Sequence, residues 1–197
     1  MAINAAKVLV GTADQQTTTG AVRSGDLVST IPADFTAAAT AAAALTTNSG
    51  YVSEDGVELS TDFSTSDIRE WNHATVRKVL DTFDGTFTFS LIQQDYESWC
   101  QAIGADNVTK VAATSTHGEQ LKIAMGAHMA PEQTFCFMLK DGDAAGIIWV
   151  PRGQITAIDT ITFNATDAVA LPLTLSAYDD GTGNCIYIYT DDGVTTA

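Results

Sequence analysis

The chain has 197 residues, of which 45% are hydrophobic, and its 24 acidic and 9 basic residues give a net charge of −15. This apolar content is enough for one large β domain or two small ones, and it excludes a chain that is disordered throughout. The basic residues are scattered, so they cannot build the face of Lys and Arg that tight duplex binding needs. We therefore expect the protein to repel nucleic acid and anionic membranes.

Residues 1–30 are polar, and we predict that they form an N-terminal arm or loop. They hold no apolar run long enough for the core of a signal peptide, and no later segment approaches the length of a membrane span. We therefore expect synthesis in a cytoplasm without export by the Sec route. Residues 33–47 are rich in Ala and Thr, and we predict a short helix from Ala37 to Leu45 that stops before Gly50.

Alternating apolar residues predict a β core over residues 50–190. In residues 86–91 the apolar side chains fall on one face, and Asp84-Gly85 just before them predicts a turn. Residues 74–81 are then the partner strand of a hairpin. Lys78 shares a face of that partner strand with apolar neighbours, and such a mixed face indicates a sheet edge or a subunit contact.

One helix is predicted to interrupt the strands at about residues 94–103. Its apolar residues recur at helical spacing, and Gly104 supplies the C-terminal stop. The residues that form this stripe are Tyr96, Trp99, Cys100 and Ile103.

The later strands complete the predicted core. Residues 134–140 are apolar on both faces, so we expect a central strand that is buried on both sides. Pro172 lacks a backbone donor, which places its strand at an edge or a bulge. Further strands are predicted at residues 121–125, 146–150, 154–163, 169–178 and 185–190. Together these elements predict a mainly β fold, an antiparallel β-sandwich or partial barrel with one flanking α-helix.

No sequence motif points to catalysis, because the chain lacks a nucleophile elbow, a P-loop and a zinc-protease helix. His117, His128 and the nearby Glu119 are too few for a zinc site. The acidic turns, such as Asp179-Asp180, lack the ligand spacing of an EF-hand loop. We predict that the protein is not an enzyme and that it binds no metal or other cofactor.

Several segments resemble one family when their order and spacing are taken together. They are Gly50–Val57 (GYVSEDGV), Ile68–Trp71 (IREW) followed by Val76-Arg77, Thr86–Leu91 (TFTFSL) followed by the helix that ends at Gly104, Trp149–Ile155 (WVPRGQI) and Leu171–Asp179 (LPLTLSAYD). This pattern resembles the major tail proteins, or tail tube subunits, of long non-contractile-tailed bacteriophages. The resemblance is closest to those of phages of actinobacteria.

The resemblance implies a structural virion protein rather than an enzyme. Residues 1–197 would be a single tail-tube domain, six copies would form a ring, and rings would stack into a tube through which DNA passes at ejection. Each copy would contribute strands to a continuous β-barrel around the lumen, and long loops and the N-terminal arm would join successive rings. The implied partners are further copies and the tail tip or initiator, tape measure and terminator proteins. We expect no extra immunoglobulin-like domain, because the chain ends soon after Tyr189.

Two segments are predicted to carry the contacts between copies. Residues 53–67 are polar and long, so we interpret them as an inter-subunit loop. The hairpin around Lys78 is predicted to line the lumen or to contact a subunit, because its mixed face indicates a sheet edge or a subunit contact. Separately, surplus Asp and Glu in a lumen would repel DNA. The loop residues singled out are Ser53, Glu54, Asp55, Glu58, Asp62 and Asp67. The hairpin residues singled out are Arg77, Lys78, Asp81, Thr86, Thr88 and Ser90.

The sequence leaves alternatives open. Another virion component is one, such as a tail terminator, a tube initiator or a head decoration protein. A tube subunit of a contractile or secretion-type injection machine is a second, because such subunits share the fold. The third is a carbohydrate-binding β-sandwich, for which Tyr187 and Tyr189 on one face of the final strand are the candidate platform.

Overall fold

Antiparallel strands make up most of the protein in the computed structural model, which describes residues 11–13 and 21–195. In chain order the elements are β1 (Thr12–Ala13), β2 (Val22–Gly25), α1 (Phe35–Ala44), β3 (Thr47–Asn48), β4 (Val52–Arg69), β5 (Thr75–Leu91), α2 (Tyr96–Ile103), a 3-10 turn (Ala105–Asn107), β6 (Val108–Val111), β7 (Gln120–Ile123), β8 (Gln133–Asp141), β9 (Ala144–Ile158), β10 (Leu171–Ala177) and β11 (Tyr187–Asp191).

Within the described residues, nine strands form one sheet in the order β3-β2-β8-β9-β10-β5-β4, with β1 also paired to β8 and β11 to β9. β6 and β7 form a separate two-stranded sheet. All of these pairings are antiparallel, so the predicted mainly β, antiparallel fold class is confirmed.

The large sheet curls around its own core. The rings of Phe87 in β5 and Phe137 in β8 stack with centroids 4.8 Å apart, although β10 and β9 lie between these strands in the sheet. Three strand spacings in a flat sheet would separate them by about 14 Å. The sheet therefore bends into a partial barrel. The buried side chains inside it include Phe87, Phe89, Leu91, Phe135, Phe137, Val150, Ile155, Leu171, Leu173 and Leu175.

Helix α2 forms where the aromatic stripe predicts it. The Asp95 carboxylate accepts a hydrogen bond from the Ser98 backbone N–H at 2.8 Å, which caps the N-terminus. Gly104, with a φ of 86°, ends the helix in a backbone conformation that favours glycine. Trp99 and Ile103 are buried in the core that the curled sheet encloses.

Helix α1 covers the opposite face of the sheet and forms in the Ala-rich segment where the sequence predicts a short helix. Its Ala38 and Ala42 are fully buried and belong to a second cluster with Trp149 of β9. Small alanine side chains let the helix approach the sheet closely. Arg23 of β2 is buried beneath the helix and donates to the Ala42 carbonyl at 2.9 Å, near the C-terminal end of the helix, where the Leu45 N–H also donates to it.

The prediction that residues 1–30 form an arm or loop is wrong for Val22–Gly25, which form β2. Val22–Gly25 is buried and pairs with β3 on one side and β8 on the other. Its four residues show no apolar alternation, so the sequence pattern carries no strand signal there. The rest of the predicted arm lies partly outside the described residues.

The predicted turn at Asp84-Gly85 is also wrong. Both residues lie inside β5, where Asp84 is opposite Asp62 of β4 and Gly85 is opposite Ala177 of β10. A Cβ on Gly85 would stand 2.6 Å from Cδ1 of Ile186, so this glycine marks a close approach rather than a turn. The partner of β5 is β4, and the hairpin turn falls after Glu70, with His73 at a φ of 65°.

Residues 53–67 form most of β4, so their interpretation as a loop is wrong. β4 is the last strand of the sheet and pairs with β5 from Val52 opposite Leu91 to Arg69 opposite Thr75. Both faces of this strand are largely exposed, so polar side chains are tolerated along it and do not mark a loop.

The later strands agree with prediction in part. Residues 134–137 are buried, as expected for a central strand, but residues 146–150 and 154–158 are parts of the single long strand β9. The sequence predicts Pro172 at an edge or a bulge, and the edge alternative is wrong, because β10 pairs with β5 and β9. The pairing of β10 with β9 does have a register shift two residues further on, between Thr174 and Leu175. The Pro172 carbonyl accepts from the Asp159 N–H at 3.0 Å, and its missing donor coincides with the end of β9.

Candidate assembly surface

The β4–β5 hairpin has two parts with different surroundings. At its base, Gly85–Leu91 of β5 also pairs with β10. Beyond this base, residues 62–84 form a two-stranded extension, which we call the ribbon. Every side chain of the ribbon is exposed except the half-buried Phe83. Isolated two-stranded hairpins are only marginally stable in water, so the ribbon is a poor candidate for an independent folding unit.

The strand register divides the ribbon into two unlike faces. Leu59, Phe63 and Phe83 continue the face that carries Phe87 in the core. The Phe63 and Phe83 rings are opposite each other with centroids 4.9 Å apart, yet Phe63 remains 62% exposed. We call this the apolar face. It presents aromatic surface that the described part of the chain leaves open to solvent.

The other face, the polar face, carries hydroxyl groups and carboxylates. Asp62 stands directly opposite Asp84, a like-charge pair that weakens the local strand pairing. Thr88 donates to Glu58 at 3.5 Å, and Ser66 bonds to Asp81 at a register shift in β5. The polar residues on this side are Glu58, Ser60, Asp62, Ser64, Ser66, Asp81, Thr82, Asp84, Thr86, Thr88 and Ser90. Nearer the hairpin turn the same side also carries Ile68, Arg77 and Val79.

Both edges of the ribbon lack a strand partner within residues 11–13 and 21–195. β4 pairs with β5 alone, and the stretch of β5 before Gly85 pairs with β4 alone. Each edge therefore presents a row of backbone N–H and C=O groups, which is a template for pairing with another chain. The charged side chains along these strands oppose indiscriminate pairing.

The structure separates the residues that the sequence grouped as a lumen hairpin. Thr86, Thr88 and Ser90 lie on the polar face, and Arg77 follows on the same side nearer the hairpin turn. Lys78 lies on the opposite side and forms an ion pair of 3.1 Å with Asp67. Hydrogen bonding from Lys78 lowers the pKa of Asp67 below its usual value.

The residues predicted for the inter-subunit loop are also divided. Glu58 and Asp62 lie on the polar face. Ser53, Glu54 and Asp55 lie in a bulge at the other end of β4, where Ser53–Gly56 falls between the pairs Val52–Leu91 and Val57–Phe89. Gly56 has a φ of 74°, and Glu54 and Asp55 are exposed. This bulge projects two carboxylates from the end of the hairpin that is remote from its turn.

Sequence reasoning missed the apolar residues of the ribbon, above all Phe63 and Phe83. The signal was present: Val57, Leu59, Thr61 and Phe63 alternate with polar residues at the period of a strand. The acidic content of the segment and its glycine made a loop the more obvious interpretation.

The remaining polar clusters have structural roles. Asp180 accepts from the Tyr187 hydroxyl at 2.6 Å and from Thr182, and these bonds lower its pKa to about 2. The Tyr189 hydroxyl donates to the Pro32 carbonyl at 2.7 Å. Both tyrosines are half-buried, so they do not form an open platform for a sugar ring. Across the described ranges, no group of three or more His, Cys, Asp and Glu side chains converges as metal ligands do, and no helix is long and apolar enough to cross a membrane.

Comparison with known proteins identifies a family. A family model described as phage tail tube protein matches residues 1–197. No curated protein matches the chain. Among solved structures, the cryo-EM structure of the anti-feeding prophage cap (AFP tube terminating cap) is similar at 13% sequence identity and a TM-score of 0.39, over 68% of this chain and 79% of that chain.

Proposed function

The chain belongs to the phage tail tube protein family and is a structural component of the phage tail; on that premise we propose that it is the major tail tube subunit. Six copies form a ring, and rings stack into a tube that conducts phage DNA during ejection. The observation that carries this proposal is the ribbon, which has two unlike faces and two edges without a strand partner among the described residues.

Strand pairing between neighbouring copies would close the ring into a continuous β-barrel wall. The outer edge of β4 in one copy would pair with the free edge of β5, residues 75–84, in its neighbour. β4 and β5 are antiparallel, so an alternating array of them stays antiparallel around the ring. Closing the array removes every free edge, which is how barrels avoid uncontrolled edge pairing.

The two faces of the ribbon support one orientation in that wall. The polar face would point to the lumen, and the apolar face would pack against the outer layer of the tube. The polar face carries Glu58, Asp62, Asp81 and Asp84, so it repels a phosphate backbone rather than binding it. Phosphate contacts would retard a passing duplex, and carboxylates and hydroxyls do not form them. Arg77 lies on the same side of the ribbon, but nearer the hairpin turn.

Further features of the proposal rest on the family and on the sequence. The net charge of −15 keeps free copies apart in the host cytoplasm, where we propose that the chain is made without Sec export. Its partners in the tail would be the tail tip or initiator, tape measure and terminator proteins. The matching segments between residues 50 and 179 support a closer relationship to tail tube proteins of actinobacterial phages.

Removal of the ribbon tests the proposal. Residues 63–83 are replaced by Asn-Gly, which joins the opposed residues Asp62 and Asp84 through a tight hairpin turn. Concentrated wild-type protein should form hollow six-fold tubes in negative-stain electron microscopy. The truncated variant should stay folded and monomeric, because the base and its core are intact. Tubes from the truncated variant would refute the assignment of the ribbon, and wild-type rings that never stack would indicate a terminator instead.

Charge reversal tests the acidic lumen. The variant Asp62→Lys with Asp84→Lys changes the polar face, and Asp191→Lys with Asp192→Lys is the control with the same change in net charge. Tubes of the first variant should retain duplex DNA in a salt-dependent manner, whereas wild-type tubes should not. Equal retention by the control tubes would contradict a lumen lined by the polar face.

A further inference from the structure

Trp71 is a large side chain that the described part of its own chain leaves uncovered. It lies at the turn of the hairpin and is 98% exposed. Backbone hydrogen bonds of 2.9 Å hold this turn, from His73 N–H to the Glu70 carbonyl and from Glu70 N–H to the Ala74 carbonyl. A tryptophan on a preorganised turn loses little freedom on binding, and tryptophan is enriched among the residues that dominate interface energies.

A groove elsewhere on the protein matches this anchor in size and chemistry. Its volume is about 170 Å³, comparable with the roughly 150 Å³ engineered cavity that binds benzene. Met125 and Met129 are 60% and 62% exposed at the groove, and methionine side chains adapt to aromatic rings and contact them through sulfur. The apolar side chains that line it include Ala102, Ile103, Met125, Met129, Ile155 and Ile158, and His128 and Thr156 are polar lining residues.

The groove and the hairpin turn lie at opposite ends of the same molecule. Ile158 is opposite Leu173, which is opposite Phe89 near the end of β5. From there back to Thr75, β5 extends roughly 45 Å at about 3.3 Å per residue. The ribbon is exposed along this length and does not fold back over the domain. Trp71 therefore cannot reach the groove of its own chain, and a tryptophan that fills the groove must come from a second copy.

The charges of the two ends favour contact between the hairpin turn of one copy and the groove end of a second copy. The tip, residues 67–78, has three basic residues against Asp67 and Glu70, in a chain whose net charge is −15. The opposite end carries Glu54 and Asp55 in the bulge, and Asp159 directly follows Ile158 of the groove. Residues 53–58 and 158–170 contain no Lys or Arg. The basic residues of the tip are Arg69, Arg77 and Lys78.

We propose that the tip of one copy docks on the far end of a second copy, with Trp71 in the groove beside Met125 and Met129. The contact joins two unlike surfaces at opposite ends of the molecule, so it can repeat from copy to copy along the axis of a tube. This proposal rests on the proposed function and assigns the contact between successive rings, whereas ribbon edges form the contact within a ring.

The substitution Trp71→Ala separates the two kinds of contact. The side chain is fully exposed, so the variant should unfold at the wild-type denaturant midpoint. It should still form single rings, but association of rings should weaken about 30-fold, equivalent to about 2 kcal/mol for loss of an interface anchor. Stacked tubes of wild-type length from the variant would overturn the proposal.

A disulfide trap tests the contact without relying on tube formation. Full-length Asn72→Cys, which keeps Trp71, is mixed under mild oxidation with full-length Thr156→Cys, because Thr156 also lines the groove. The matched control partner is Thr190→Cys, an exposed position on β11. A mixed disulfide should form at least tenfold faster with Thr156→Cys than with Thr190→Cys. Equal rates, or no disulfide, would overturn the proposal.

The outcomes distinguish this proposal from the proposed function. Wild-type protein that forms neither rings nor tubes would remove the proposed function, while the disulfide rates would still decide whether the tip binds the groove. Conversely, wild-type tubes together with unchanged stacking of Trp71→Ala would leave the proposed function in place and remove the tip contact.

Discussion

The two parts of the β4–β5 hairpin use the same alternating pattern in different surroundings. At the base, Phe87 and Phe89 are buried against β8 and β10, and β5 has strand partners on both sides. In the ribbon, Phe63 and Phe83 continue the same face without a layer beneath them, and each strand has one partner. The base folds the domain, whereas the ribbon carries apolar surface and strand edges that residues 11–13 and 21–195 of the same chain leave uncovered.

Hydrophobic side chains in this one strand pair therefore have two different roles, stability of the single chain at the base and association in the ribbon. Burial of a large side chain in the base stabilises the single chain by a few kcal/mol. The same kind of side chain in the ribbon contributes almost nothing to the single chain, and its apolar surface becomes useful on association. Substitutions along one hairpin should therefore separate folding from assembly.

The largest expected effect comes from truncation at the base. Phe87→Ala removes a ring that is fully buried and stacked on Phe137, so it should lower the free energy of unfolding by about 3–5 kcal/mol. Phe63→Ala is the matched change in the ribbon, and it should alter the free energy of unfolding by less than about 0.5 kcal/mol while preventing tube formation. Denaturant unfolding and electron microscopy of both variants check this. Equal destabilisation by the two changes would erase the distinction between base and ribbon.

The boundary between the two parts can be tested at Gly85. A Cβ there meets Ile186 at 2.6 Å, so Gly85→Val should overpack the contact and cost about 1–3 kcal/mol of stability. Thr82→Val, three residues away in the exposed ribbon, is the control and should be neutral in the same unfolding measurement. Neutral behaviour of Gly85→Val would show that β5 and the β10–β11 connection are less closely packed than the structure indicates.

A smaller effect is expected from the opposed carboxylates of the ribbon. Asp62→Asn relieves the repulsion between Asp62 and Asp84, so it should stabilise the local strand pairing by about 0.2–1 kcal/mol. Hydrogen exchange of ribbon amides in the single chain should slow by the corresponding factor, with amides of the base unchanged. Faster exchange in the ribbon would contradict the register that places these carboxylates opposite each other.

The smallest effect should come from the ion pair near the hairpin turn. Lys78 holds the pKa of Asp67 below its usual value. The ion pair therefore stabilises the ribbon fully when the pH is above the usual pKa of an aspartate. This contribution is lost as the pH falls through the lowered pKa. Lys78→Ala should raise the pKa of Asp67 in an NMR titration and leave the unfolding midpoint at pH 7 unchanged, because the pair is exposed. An unmoved Asp67 titration would contradict the contact.

Sequence patterns were sufficient for the parts of the fold where local and tertiary preferences agree. The alternation of Phe87, Phe89 and Leu91 identified the core strand, and the stripe from Tyr96 to Ile103 identified α2. The pattern also gave the correct fold class, because antiparallel strands with one buried face repeat through the chain.

Other parts depended on contacts that no local pattern encodes. Asp84-Gly85 has the composition of a turn, but pairing to both β4 and β10 keeps it extended. β2 is four residues long and is a strand only because β3 and β8 flank it. The sequence singles out part of the polar face, including Glu58, Asp62, Asp81, Thr86 and Thr88. Their shared face became visible only with the register of β4 on β5.

Electron cryo-microscopy of assembled tubes at side-chain resolution tests the central claim most directly. The account predicts that the ribbon of every copy lies in the inner wall, with the outer edge of β4 hydrogen-bonded to β5 of its neighbour. Glu58, Asp62, Asp84 and Thr86 should then face the lumen. A tube with the ribbon on its outer surface, or with Phe63 and Phe83 facing the lumen, would contradict it.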